Sequence, residues 1–339
     1  MIPTTAPPPV LTRAQELAHP ALVEAVASLA PELRPPVRYH LGWTDANGLA
    51  TPGGGGKGVR VALAVLSAEA VGAKGTVGVP GAVAVELVHN FSLLHDDLID
   101  GDRERRHRET VWSLFGVSQA VIAGDALLSL AHEVLANAPS LGAFAAARRL
   151  AAATSAMIAG QAADIAAEGT PLPSLDACEA MERAKTGALL GAAASLGAVL
   201  AEAPAPVADA LEAFGIELGL AFQAVDDLLG IWGDPERTGK PRWSDLRSAK
   251  ASLPVAAALS AGRPESEELV RLLAGPRDDE GVLARAAELV ERAGGRAYAG
   301  EAAEAHLGRA LGLLETAPLT EPATEELAGL ARFVVDRAY

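Results

Sequence analysis

The sequence predicts an all-α fold: a single large helical bundle surrounding a central cavity. Three observations predict it. Half of the 339 residues are hydrophobic but only 4% are aromatic, with Ala and Leu dominant, whereas strand-rich domains lean on β-branched and aromatic side chains. Long helical patterns fill most of the chain, and no period-two run marks a strand. Two long apolar helices each end in paired aspartates, as two walls of one cavity would.

Residues 1–12, MIPTTAPPPVLT, are Pro-rich and expected to form a disordered tail, leaving 13–339 as one all-helical domain. A first helix is expected from Arg13 to Leu33, ended by Pro35 and Pro36. The following loop, LGWTDANGLATPGGGG, is too rich in glycine for an element interior, and its GGGG lacks the preceding strand of a nucleotide-binding loop. Helical patterns then run over 57–73, 80–102, 117–137, 140–168, 174–202, 206–231 and 245–262, with shorter ones at 265–275, 279–294, 297–316 and 320–338. Pro80 suits a first turn. Breakers stand where helices should end, as at Gly233-Asp234-Pro235.

Charge and composition exclude several classes of function. A net charge of −15 repels nucleic acid. One cysteine, Cys178, allows no internal disulfide framework and fits a reducing compartment. No basic-then-apolar leader opens the chain. The longest uncharged apolar run, TGALLGAAASLGAVLA from Thr186, falls short of the ~20 residues of a spanning helix. A cytoplasmic protein without a membrane span is expected.

The chemistry concentrates in two acidic clusters. In HDDLIDGDRERRHRET, residues 95–110, Asp96 and Asp100 are four apart and share a helix face, with Asp97 beside them. Like charges at that spacing repel, and a divalent cation offsets the repulsion; carboxylate oxygens suit Mg²⁺, which bridges a few of them to substrate phosphates. The plainer reading is an acidic last turn on a surface helix, unfavourable to its dipole. The second cluster weighs against it. FQAVDDLLGIWGDPERTGKPRWSDLRSAK, residues 222–250, again ends a long apolar helix with paired acids, Asp226 and Asp227, and Lys240 and Lys250 follow. Metal ions between two such walls, with cations around a polyphosphate, would activate a phosphate leaving group. Only five of the 28 basic residues are lysine, and Lys57, Lys185, Lys240 and Lys250 all fall in motifs.

On these residues the chain resembles the trans-isoprenyl diphosphate synthases, the polyprenyl synthetase family, from roughly Arg38 to the C-terminus. GGKGVR (55–60), ELVHNFSLLHDDLIDGDRERRHRET, AKTG (184–187), FQAVDD (222–227), GKP (239–241) and SDLRSAKASLP (244–254) match the family's blocks in order. The resemblance implies a Mg²⁺-dependent transferase that joins isopentenyl diphosphate to an allylic diphosphate. It implies that Asp96 and Asp100 hold Mg²⁺ from one side, with Asp97 supporting, and that Asp226 holds a third ion from the other. Arg105, Lys185, Thr186, Gln223 and Lys240 would bind the allylic diphosphate; Lys57, Arg60, His89 and Arg106 would bind that of isopentenyl diphosphate; Lys250 would be a more remote contact. Members are commonly homodimers.

The residue types suit that reaction. Ionising an allylic diphosphate makes a carbocation and inorganic diphosphate, so the leaving group needs neutralising charge while the cation needs inert apolar walls. Phe91, five residues before Asp96, resembles the bulky floor that stops the growing chain, and the unexpanded DDLID resembles that of geranylgeranyl-forming members. A twenty-carbon product is therefore expected, with fifteen carbons next. The alternative for Phe91 is ordinary packing against a neighbouring helix.

Four positions depart from the family pattern: Gly58, Val61, Glu109 and Gly230. Gly230 removes the last aspartate of the second motif and is expected to tune the third metal, and Glu109 could divert an arginine into an ion pair. Two other functions remain open at this point. A terpene cyclase of the same fold would ionise a prenyl diphosphate without the isopentenyl partner, and a silent subunit would only regulate a synthase.

Overall fold

The computed structural model describes residues 7–51, 58–167, 174–235 and 241–336. Helix α1 spans Pro9–Ser28, so the expected tail gives way to helix four residues early; Pro9 needs no N–H in a first turn, and Val10, Leu11 and Ala14 are buried. Pro35 and Pro36 open a helix rather than end one. They lie in the first turn of α2, Arg34–His40, where the backbone N–H groups have no intrahelical acceptor.

Helices α3 (Val59–Ala70) and α4 (Gly75–Ile99) follow. Helix α4 starts five residues before Pro80, which therefore lies inside it and not in its first turn. A small antiparallel hairpin, β1 (Glu104–Arg105) and β2 (Arg108–Glu109), appears where the sequence pattern gave no strand. Its two turn residues, Arg106 and His107, both have positive φ, at 53° and 61°, as a type I′ turn requires. Helices α5 (Val111–Phe115), α6 (Val117–Ala136) and α7 (Ala143–Ala167) come next.

The expected helix over 174–202 is three pieces: α8 (Leu175–Glu182), a π-helical segment (Arg183–Gly187) and α9 (Ala188–Leu200). Helix α10 runs Ala205–Trp232. The expected helix over 245–262 divides into α11 (Ser244–Arg247) and α12 (Leu253–Ser260), with Ala249 left-handed between them. Helices α13 (Pro264–Leu273), α14 (Glu280–Arg292), α15 (Gly295–Thr316) and α16 (Ala323–Val335) complete the chain.

Helix α9 is the axis of the core. Nearly all its side chains are buried, and it packs against α3, α4, α7 and α10. Its apolar sequence is thus explained by burial on every side. Helix α15 lies along α10, and a second apolar cluster joins the end of α10 to α11–α14 through Ile231, Leu246, Val255, Leu269 and Leu289.

By length and composition alone, α4, α6 and α7 could each cross a membrane, although the longest uncharged run suggested no such element. The packing treats them differently. The apolar stretch of α4 is 61% buried inside the protein, against 39% for α6 and 28% for α7. Val117, Val121, Ile122, Phe144, Ile158 and Ile165 consequently stand exposed on these two neighbouring helices.

Candidate active site

The first acidic wall is the last turn of α4. Asp97 points inward and is almost fully buried, and Arg105 on β1 donates from its Nε to Asp97 Oδ1 at 2.5 Å. The hairpin is what carries Arg105 back to the helix it follows. Asp96 is half-buried and Asp100 exposed. Burial pushes the Asp96 carboxyl up to about 6; Lys185 opposes the shift, Asp100 adds to it, Arg105 opposes and Asp97 adds. Protein groups thus leave the negative charge of Asp96 incompletely compensated, and a divalent cation would complete it. Among the described residues, no three carboxylate, imidazole or thiol groups converge to hold a metal alone. That donor set fits Mg²⁺, which takes its remaining ligands from water and substrate phosphate.

The second wall is the last part of α10. Asp227 is fully buried and accepts three hydrogen bonds: from Gln223 Nε2 at 2.7 Å, from the Leu253 backbone N–H at 2.8 Å and from Lys250 Nζ at 3.2 Å. The break between α11 and α12 is what frees the Leu253 N–H for Asp227. Burial disfavours the Lys250 charge, but Asp227, Asp245 and Asp226 outweigh it and hold the ammonium well above its ordinary range. Asp226 is half-buried, on the face that Asp227 does not use.

The π-helical segment joins the two walls. Lys185 acts on Asp96 of α4 and is itself held by Asp164 of α7, with Nζ 2.5 Å from Oδ2. Its neighbour Thr186 donates to Gln223 Oε1 of α10 at 2.9 Å.

A separate cationic pocket forms beside the first wall. Arg60 from α3, His89 from α4, His40 from α2 and the hairpin arginines Arg105 and Arg106 act on one another there. Burial first, then Arg60 and Arg106, holds the His89 imidazole well below its ordinary range. Burial with Arg105 and Arg106 lowers His40 to about 3. Burial also lowers Arg60, offset in part by Glu86, and the Arg60 Nε is buried without a hydrogen-bond acceptor. Neutral imidazoles, an orphaned guanidinium donor and Arg106 close to them make a place for an anion.

The fold therefore gathers Asp96, Asp97, Asp100, Arg105 and Lys185 in one group and Thr186, Gln223, Asp226 and Lys250 in an adjoining one. Arg60, His89 and Arg106 fall in the pocket. Lys57 and Lys240 lie outside the described residues. Phe91 is buried, its ring packed edge-on against His95 at 4.9 Å between centroids. The diversion of an arginine to Glu109 is not found: Arg108 lies over the Tyr39 ring at 4.3 Å and donates to the Thr44 carbonyl, and Glu109 meets Ser113. Sequence reasoning missed His40, Glu182 and Asp245. Nothing local marks His40, and Glu182 is one of several charged residues in SLDACEAMERAKTG, distinguished from them only by its burial.

Comparisons with known proteins show the family. The family described as Polyprenyl synthetase matches residues 46–290. The chain is 48% identical over 333 residues to the (2E,6E)-farnesyl diphosphate synthase of Mycobacterium tuberculosis, covering 97% of this chain and 93% of that one. It is 42% identical over 310 residues to the geranylgeranyl diphosphate synthase of the same organism, covering 91% and 89%. A polyprenyl synthetase from Streptomyces coelicolor superposes with a TM-score of 0.92 at 51% identity, covering 96% and 98%. A Caulobacter crescentus polyprenyl synthase, solved with calcium and isoprenyl diphosphate, does so at 0.83 and 29%, covering 97% and 98%. Matched by that family over most of its length and by relatives of 42–51% identity over nearly all of it, the chain belongs to the polyprenyl synthetase family of short-chain trans-prenyl diphosphate synthases.

Proposed function

We propose that the protein condenses isopentenyl diphosphate with an allylic diphosphate, using three Mg²⁺ ions, to give an all-trans prenyl diphosphate. The observation that carries the reading is the presence of two distinct anion sites: acidic walls bridged by Lys185 and Thr186, and the pocket of Arg60, His89 and His40. A cyclase that only ionises one diphosphate has no use for the second.

Mg²⁺ would be held by Asp96, Asp100 and Asp226, and when bound it neutralises charge on the departing diphosphate. Arg105 and Lys185 flank the same leaving group, while Thr186 and Gln223 orient its other side. Arg60, His89 and Arg106 hold the isopentenyl diphosphate so that its double bond faces the allylic carbon. The buried apolar surface of α4 above the aspartates offers no nucleophile to the carbocation.

Phe91 would close the chain cavity. The motif reading placed twenty carbons first, but the higher identity lies with a farnesyl-forming relative, which supports fifteen carbons first and twenty next. We also place the protein in the cytoplasm as a homodimer joined through the exposed apolar side chains of α6 and α7. Sedimentation should then show twice the 34.6 kDa chain mass, and Ile122→Glu with Phe144→Glu should halve it.

The deciding experiment is incubation with isopentenyl diphosphate, each allylic diphosphate in turn and Mg²⁺, with products identified by mass spectrometry. Linear prenyl diphosphates extended by five-carbon units are expected. Cyclic hydrocarbons from an allylic diphosphate alone would establish the cyclase instead, and no turnover with any substrate would favour the silent subunit.

A further inference from the structure

The second aspartate motif reads DDLLG. Gly230 stands one helical turn beyond Asp226, as Asp100 stands one turn beyond Asp96 in the first motif. The place of the missing side chain is filled. A Cβ on Gly230 would fall inside the carboxyl group of Asp245, 2.5 Å from its Oδ1 and nearer still to its Oδ2. Any side chain at this position would require the Asp245 carboxyl group to move.

Asp245 is buried in that position. Trp243, just before α11, is left-handed with φ of 59°, at the point where the chain enters that helix. Ser244 Oγ donates to the Gly230 carbonyl at 3.2 Å and lies 3.2 Å from Asp245 Oδ1. The Lys250 backbone N–H donates to the Asp245 carbonyl at 2.9 Å, and Lys250 Nζ lies 3.8 Å from Oδ2. Lys250 is at the same time bonded to Asp227, so a single ammonium ties the Asp245 carboxylate to the aspartate pair of α10.

We propose that Asp245 supplies the carboxylate that Gly230 lacks, completing from α11 the acidic wall that Asp226 presents to magnesium diphosphate. The two walls then each offer two carboxylates one turn apart, but in the second wall the pair, Asp226 and Asp245, is 19 residues apart in the chain. The inference takes the identity of its ligand from the prenyl-transfer reading. On this reading Gly230 tunes the third metal by making room for Asp245.

The test is direct binding of inorganic diphosphate to the full-length protein by calorimetry, across a Mg²⁺ series, alongside thermal melting. Asp245→Asn keeps the shape and removes the charge, and should raise the Mg²⁺ needed for half-maximal binding about tenfold, as loss of a group supporting a metal site does. Gly230→Asp alone should weaken both binding and melting, because two carboxyl groups would compete for one place. Gly230→Asp combined with Asp245→Ala should recover, with Mg²⁺ dependence within about threefold of the parent and better melting than either single variant, a positive coupling between the two sites. Unchanged Mg²⁺ dependence in Asp245→Asn, or a double variant no better than the singles, would overturn the inference. Those results in a parent that makes prenyl diphosphates leave the prenyl-transfer reading standing. Conversely, Asp245-dependent binding in a parent that makes no prenyl product would remove that reading and keep the inference.

Discussion

Glu182 of α8 and Asp227 of α10 are both buried, and Asp227 acts on the Glu182 carboxyl group. Asp227 accepts from Lys250, Gln223 and the Leu253 N–H, whereas Glu182 has no such cationic or backbone donor among the described residues. The Cys178 thiol donates to Glu182 Oε1 at 3.5 Å, and burial pushes that thiol upward as well. Burial first, then Asp227, pushes Glu182 up to about 9. A neutral carboxylic acid therefore supports the aspartate that anchors Lys250.

Because the folded protein keeps the Glu182 proton where the unfolded chain releases it, Glu182 costs stability progressively as pH rises from about 4.5 toward 9. Gln fills the same place and carries no titrating proton. Glu182→Gln should therefore gain stability relative to the parent with rising pH, on the order of 1 kcal/mol per unit over that window. Urea unfolding at pH 5, 7 and 9 measures it. A difference that stays constant would mean that Glu182 is charged in the fold.

Asp96→Ala and Asp100→Ala should each lower turnover by about 10²-fold or more, because the leaving group loses its charge partner. Asp100 is exposed and Asp96 half-buried, so the circular dichroism of both variants should match the parent. Near-normal turnover in either folded variant would remove it from the metal site.

Replacing Arg60 with Met, or His89 or His40 with Ala, should raise the KM for isopentenyl diphosphate on the order of tenfold, with the allylic KM little changed. His40 carries most information, since only the fold brings it to the pocket. Equal effects on both substrates would mean that the two diphosphate sites have been wrongly divided.

Phe91→Ala removes a buried ring packed on His95 and should cost ~3–5 kcal/mol of stability. Assayed below its lowered melting temperature, it should release products longer by one or more five-carbon units. Products of parental length from folded Phe91→Ala would make the ring a packing residue only.

The helices and both acidic clusters were legible because their signals are local: apolar spacing, and DD at the end of a long apolar run. The hairpin was not, since Arg106 and His107 adopt left-handed backbone that neither residue type advertises. Pro35 and Pro36 misled because proline ends one helix and begins another with equal ease. His40 and Asp245 acquire meaning only through contacts with distant elements, His40 with the hairpin arginines and Asp245 with Gly230. Even the Gly230 departure, visible at once, could not be interpreted until the carboxyl group in its place was seen.

The π-helical turn at Arg183–Gly187 makes α8 and α9 one rod carrying a surplus residue. Counting along a helical wheel from Ser174 therefore slips by about 100° on crossing it. Deleting Ala184 should restore ordinary winding, leave the helix count and apolar core composition intact, and swing Lys185 away from either Asp164 or α9's own packing partners. An insertion or deletion of one residue, normally reserved for loops, is here the setting that decides which way a lysine faces inside a continuous helix.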